Sequence, residues 1–546
     1  MTFFKFSLLA FSSMLLSSCA TDLTDIDTSS DSDFDDILIE NTKVSNFDVS
    51  VSTATQFFNI DSGVGTVTIN NLENKSLYLV SQNNSSKTIQ TEKAMKIAEI
   101  SASGRAVFSD NGVISDEYEI LSEEELDITQ GFKGVTLPRL KAEDSKLNAS
   151  EERAAAAAYG SYSPGAAVTV GSKKMIYVDS NKELTAYSAK QGTIEYIGKY
   201  CIIWSIINND EELKPELIKE IANTFDYFYE AEREIFGKES DKLYIYDGAS
   251  YRLEDMARHT NTGAKVNIVI YHITNPSVIG YFYCKDYYET EEELLKTCGK
   301  TYRASNPAKY SNGGKYFYIN YDYVAGSAQK KRLAESTLIH EFQHMINYSV
   351  KDMNGIYSDD WYNEMLSMLA EDMFSTQIKS GIKAPAVMRM NTFRSYYYKS
   401  GLKEFSTTYS YGTAYAFGAW LVRNFGGADL VRLIMSNRKA NEDSIIDAVN
   451  TLSSKKYTFD SLFNEYVKEC TNDKGFNISV LNNELKCAPM FTSINSTPIV
   501  RPVSNAISTS IGPYGFVLRK IDITSPSITI NLSERTARET VYVIVK

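Results

Sequence analysis

The stretch 336–350, STLIHEFQHMINYSV, sets two histidines four residues apart with a glutamate directly after the first. It contains neither proline nor glycine. Leu338, Ile339, Phe342, Met345 and Ile346 supply apolar faces at helical spacing, so the stretch reads as a helix. Residues four apart on a helix lie one above the other, which brings the His340 and His344 imidazoles together. Two neutral imidazoles suit Zn2+, which takes histidine nitrogen at about 2.0–2.1 Å. Glu341, beside the pair, is placed to accept a proton from a water polarised by that ion, as a general base. Histidine is scarce here: the chain has four, and two of them fall in this pattern. The plainer reading is a helix carrying two hydrogen-bonded histidines and a solvated acid.

The next segment, DDWYNEMLSMLAEDMF at 359–374, argues against the plainer reading. Glu364 comes twenty residues after His344, far enough for the chain to return on a second helix and offer a third ligand. Two histidines and one carboxylate leave a fourth position for water. Glu371 or Asp372 could take a hydrogen bond from the far nitrogen of a ligand imidazole, or be an ordinary solvated acid.

HEFQHMINY followed by WYNEMLSMLAEDMF resembles the catalytic region of hyicolysin-type zinc metallopeptidases, and the core Asn363 to Ser367 is similar to that of thermolysin-like gluzincins. The resemblance implies that His340, His344 and Glu364 ligate one zinc ion and that Glu341 activates water. It also implies a thermolysin-like catalytic unit. The chain departs from the thermolysin pattern at Met368, where an aspartate commonly supports a zinc histidine, so that support must come from elsewhere, with Glu371 a candidate. The similarity extends over about 240–430. Within it, GGKYFYINYDYV at 313–324 resembles the edge strand beside a peptidase active site, which could pair with an extended substrate; a fully paired interior strand is the other reading. Downstream, TTYSYGTAYAFGAWLVRNFGG at 407–427 reads as an apolar helix with close-packing Gly412 and Gly418. Tyr409, Tyr411 and Tyr415 are candidates to hydrogen-bond a developing oxyanion. Tyr409 is favoured because its distance from Gly412 is similar to that of the transition-state tyrosine in aminopeptidase-type gluzincins. Packing against the catalytic helix is the other role open to each.

Outward from these motifs, the pattern is that of an α+β protein. Residues 1–18 read as a secretory leader: Lys5, an apolar run from Phe6 to Leu16, then small residues before Cys19. Leu16-Ser17-Ser18-Cys19 resembles a lipobox, which implies acylation of Cys19 and a membrane-tethered chain facing outside the cytoplasm, in the cell envelope. Residues 19–48 are acidic and read as a flexible tether. Residues 49–116 read as a small β-domain and 117–165 as a charged linker or processing region. Residues 166–324 read as a mixed α/β part, 325–487 as a helical catalytic part and 488–546 as a C-terminal β-module. The expected architecture is a mixed sheet followed by a helical subdomain, flanked by small β-domains.

Composition narrows the function classes. A net charge of -13 disfavours a nucleic-acid partner, because phosphate binding needs a basic field. There is no Gly-x-Ser-x-Gly elbow, no C-x-x-C and no Gly-rich phosphate fingerprint. Past Cys19, the nearest cysteine pairings are Cys284 with Cys298 and Cys470 with Cys487, each equally readable as buried thiols, while Cys201 reads as a buried small hydrophobe. His259 and His272 read as structural or surface residues. The expected activity is a zinc-dependent endopeptidase acting on protein or peptide substrates. Its rivals are a catalytically inactive surface lipoprotein serving as an adhesion or interaction module, and a hydrolase of non-peptide bonds.

Overall fold

The computed structural model describes residues 43–50, 54–61, 63–90, 97–100, 106–108, 168–208, 211–246, 250–298, 307–374, 385–471, 500–503, 510–532 and 539–546. The leader, Cys19 and the linker read at 117–165 lie outside the described residues. Among the described residues, no helix is long and apolar enough to cross a membrane.

Both ends of the chain build one β-sandwich. Strands β1 (Lys43–Asp48), β2 (Gln56–Ile60), β3 (Val64–Asn70), β4 (Leu77–Asn83), β5 (Ile89–Gln90), β6 (Ile97–Ile100) and β7 (Ala106–Phe108) come from the N-terminal side. From the other end of the chain, Gly515–Ile521, Ile528–Asn531 and Glu539–Val545 complete it, while Ser510–Ile511 pairs with β5 in a separate two-stranded sheet. Ile528–Asn531 lies between β3 and β6, and Glu539–Val545 between β4 and β2. The sequence reading of two separate β-units therefore does not hold, and the first strand begins inside the segment read as a tether. The physical reason is the strand period of two. Val541, Val543 and Val545 fill the space between the two sheets together with Val67, Ile69, Leu77 and Leu79. Tyr542 and Ile544 face the other way and join the main core with Phe516 and Leu518. Glu539–Val545 is thus buried on both faces, one in the sandwich and one against the main core.

The middle of the chain carries a six-stranded mixed sheet. Its strands are β8 (Lys173–Asp179), β9 (Tyr187–Ile197), β10 (Cys201–Ile206), β13 (Val266–Tyr271), β14 (Gly280–Phe282) and β15 (Tyr316–Asn320), after a separate ribbon of β11 (Lys242–Tyr246) and β12 (Tyr251–Asp255). The order is β14-β15-β13-β10-β9-β8, with β10, β13 and β15 parallel. All six residues of VNIVIY in β13 and all five of YFYIN in β15 are buried, as expected of strands covered on both faces. Of the two readings of 313–324, the structure selects the paired interior strand. β15 is bonded on both sides, and the short antiparallel β14 holds the edge.

Helices cover this sheet and extend beyond it: α1 (Pro215–Phe236), α2 (Glu291–Cys298), α3 (Tyr321–Val324), α4 (Ala328–Val350), α5 (Asp360–Phe374), α6 (Pro385–Tyr396), α7 (Thr408–Asn424), α8 (Ala428–Ser436), α9 (Asn441–Leu452) and α10 (Phe459–Thr471). Pro215 opens α1, where its missing N–H costs nothing. α4 is the central pillar, packed on β14, β15, α1 and α5. Gly412 lets α7 lie against the backbone of α6; a Cβ there would sit 3.0 Å from the Arg389 carbonyl oxygen. Gly418 does the same against Met365 of α5, where a Cβ would fall 2.6 Å from Cγ. The sandwich is held to the helices by Leu402 N to Tyr514 O at 2.9 Å, and by Leu518 N donating to the Tyr397 hydroxyl at 3.0 Å. Cys201 and Cys470 are buried, and among the described residues both are free thiols; Cys487 lies outside the described residues.

Candidate metal centre

α4 begins at Ser327, whose hydroxyl accepts from Lys330 N at 3.3 Å, and runs without interruption through the paired histidines. It ends at Lys351, whose ammonium donates to the carbonyls of Ile434, Asn437 and Lys439 at 2.7–2.8 Å. The chain then reverses, and α5 returns beside α4 with Glu364 in its first turns. The His340 and His344 rings stand almost perpendicular, with centroids 4.7 Å apart.

Three donors converge. One ligand atom each from His340, His344 and Glu364 lie within 4.8 Å of one another. His340 Nε2 is 3.1 Å from Glu364 Oε2, and His344 Nε2 is 3.5 Å from Glu364 Oε1. Ligand atoms at 2.0–2.1 Å around a tetrahedral zinc ion would be separated by roughly 3.4 Å, so the donor set fits such an ion. The far nitrogens are also committed. His340 Nδ1 meets Glu371 Oε1 at 2.7 Å. His344 Nδ1 lies 2.9 Å from Ser367 Oγ and 3.1 Å from Asn363 Oδ1. The Ser367 hydroxyl gives its own proton to Gln343 Oε1, so it accepts from His344. Carboxylate and amide oxygens only accept, which places the hydrogens on both Nδ1 atoms and turns both Nε2 atoms toward Glu364.

The electrostatics follow from burial and pairing. Burial works against a charge on His340, but its hydrogen bonds to Glu364 and Glu371 outweigh this and raise its pKa to about 10. A cation entering the site replaces that proton on Nε2. Burial also opposes a charge on Glu364, yet the neighbouring His344 and His340 hold it well below the usual carboxylate range. Burial pushes the Glu341 carboxyl up, offset in part by the histidine charges and by the backbone N–H of Phe282 in β14. A buried acid with a raised pKa, fixed beside the donor set, is suited to taking and returning a proton.

The remaining candidates separate cleanly. Of the two acids, Glu371 is the one that meets the His340 imidazole. Asp372 instead pairs with Arg423 and the Tyr415 hydroxyl, each at 3.0 Å. Tyr415 is thereby committed, and Tyr411 packs edge-on to Phe405 with centroids 4.7 Å apart. Tyr409 lies against Tyr396, centroids 5.1 Å apart, and makes no described hydrogen bond to the His–Glu group. His259 pairs with Glu254, and His272 lies between Glu211 and Asp322. Ser336 and Arg389, which hold Glu371, were not legible beforehand: a serine one turn before His340 and an arginine on a later helix carry no motif.

The three converging donors could hold a metal ion, and the buried Glu341 carboxyl lies beside them. Residues 217–476 match the family model Peptidase M30. The chain is 22% identical over 358 residues to the neutral metalloprotease ShpI of Staphylococcus hyicus, covering 61% of this chain and 68% of that protein. The structure of yeast LTA4 hydrolase in complex with bestatin aligns over 78% of this chain at 10% identity, with a TM-score of 0.24. The chain spans 64% of that structure's length, and a likeness at that score carries no argument. The family match, over just under half of the chain, and the metalloprotease relative are both similarities to peptidases.

Proposed function

We propose that the protein is a zinc-dependent endopeptidase that cleaves protein or peptide chains outside the cytoplasm, tethered to a membrane through lipid on Cys19. The observation that carries the catalytic reading is the convergence of His340, His344 and Glu364 beside the buried carboxyl of Glu341. The lipid tether rests on the leader-like start of the chain alone.

His340, His344 and Glu364 would hold the ion, with Glu371, Asn363 and Ser367 orienting the two imidazoles. When bound, the ion supplies Lewis acidity toward a carbonyl and toward water. Glu341 takes the proton of the attacking water and hands it to the departing amide nitrogen, so one carboxyl serves both transfers. The backbone of Phe282, on the sheet side, lowers the pKa of this carboxyl. Because Phe282 belongs to the edge strand β14, an extended peptide adding to that edge would run past Glu341. Tyr409 as an oxyanion partner stays a proposal that requires it to reach the site when substrate is present.

The test is cleavage of unfolded casein by the purified chain, removed by a chelator and restored by zinc, with Glu341→Gln in parallel. The variant is expected to keep its zinc and lose activity by about 100-fold or more. A variant that cleaves at the parental rate rejects Glu341 as the base.

A further inference from the structure

We infer that Arg389 is a positioning residue for the metal centre, acting through Glu371 on the orientation of His340. The inference rests on the metallopeptidase reading above. Glu371 is bonded from three directions: Ser336 Oγ reaches Oε2 at 2.6 Å, while His340 Nδ1 and Arg389 Nη2 both reach Oε1 at 2.7 Å. A single oxygen is therefore shared between a ligand imidazole on α4 and a guanidinium on α6. The Arg389 and Glu371 side chains are 4% and 2% exposed, so bulk water is not at hand to replace either partner.

The two α4 contacts cannot fix this carboxylate by themselves. Ser336 and His340 stand one turn apart on the same helix, so a slide of α5 along α4 would move both bonds together. The serine hydroxyl also rotates to follow its acceptor. Arg389 comes from a third helix, seated by the close contact of Gly412 with its own backbone carbonyl, and so supplies the missing third point. A guanidinium is always charged and donates from a rigid plane, which keeps Glu371 an acceptor in a set orientation. An imidazole nitrogen facing a fixed acceptor carries the hydrogen, and the opposite nitrogen then keeps its lone pair for the cation. Plain helix packing has its own ionic tie one residue on, where Asp372 joins α5 to Arg423 and Tyr415 of α7. Arg389 is the guanidinium that meets the acid in contact with a proposed ligand.

The experiment measures zinc dissociation constants of the full chain by competition with a chromophoric chelator, beside melting curves. Arg389→Met is expected to weaken zinc binding by about 10- to 100-fold, with Arg389→Lys recovering most of the loss. Because the arginine acts through the acid, the double variant with Glu371→Gln should bind no more weakly than Glu371→Gln alone. A parental constant in Arg389→Met, or losses that multiply in the double variant, overturns the proposal. Should Arg389→Met fail to fold, Arg389→Gln retains a donor without the charge, and a parental constant there overturns it equally. A parent chain that binds no zinc rejects the site reading itself, which is a different result from a zinc-binding parent with an indifferent Arg389.

Discussion

Glu232 differs from the acids that face the imidazoles in that burial dominates its protonation. It is buried on α1, and among the described residues its Oε1 has no hydrogen-bond partner. Burial raises its pKa well above 4.5, Glu239 adds to this, and His340 works in the opposite direction. The folded chain therefore keeps a proton here that the unfolded chain releases above about pH 4.5. Stability contributed by this group falls as pH rises above that value, by up to about 1.4 kcal/mol per pH unit until the folded group itself ionises. Glu232→Gln keeps the shape and removes the titration. Its melting temperature relative to the parent should rise between pH 5 and pH 8, and an offset that does not change with pH would show that Glu232 does not bind its proton in the folded chain. Glu364 is the contrasting case: a part-buried acid, 15% exposed, held ionised because two imidazoles face it.

At the scale of elements, the site depends on how closely α4, α5, α6 and α7 approach. α4 supplies both histidines and Glu341, α5 supplies Glu364 and Glu371, and α6 supplies the arginine that meets Glu371. The approach of α7 to α6 is set by a position with no side chain. A Cβ at Gly412 would meet the Arg389 carbonyl at 3.0 Å and Phe393 N at 3.1 Å, and both are backbone atoms that cannot swing aside. Gly412→Val is expected to cost about 1–3 kcal/mol by overpacking, read as a lower midpoint in denaturant. An unchanged midpoint would mean that α6 and α7 separate without penalty. The edge strand β14 belongs to this scale as well. It is three residues long, short enough to limit unwanted pairing, and its Phe282 backbone lowers the pKa of the Glu341 carboxyl.

At the scale of the whole molecule, the two ends of the chain are interdependent. Ile528–Asn531 and Glu539–Val545 occupy interior positions in the two sandwich sheets, so removing them exposes the edges of β3, β4, β2 and β6 at once. Valines 541, 543 and 545 are each at most 1% exposed. A chain ending at Val503 is therefore expected to lose the N-terminal sandwich along with its C-terminal strands. It should also lose the packing of Phe516 and Leu518 against the helices, giving an aggregated or broadly melting protein. A truncated chain that melts with the parent's cooperativity would indicate that the two ends fold independently.

The sequence alone carried the helix at 336–350 and the return of Glu364 on a second helix. Those depend on residue type and short spacing, which helical geometry converts directly into proximity. It also narrowed the acid behind the imidazole to Glu371 or Asp372. Choosing between them required knowing which faces α4 and which faces α7, and that is settled by the rotation of α5 in the packed structure. The partnership of Arg389 with Glu371, the interior place of β15 and the pairing of strands from opposite ends were not legible, because they join residues whose separation along the chain says nothing of their separation in space. Only the tertiary structure decides such contacts, since they form where buried faces and buried charges find compensation from whatever distant segment is packed beside them.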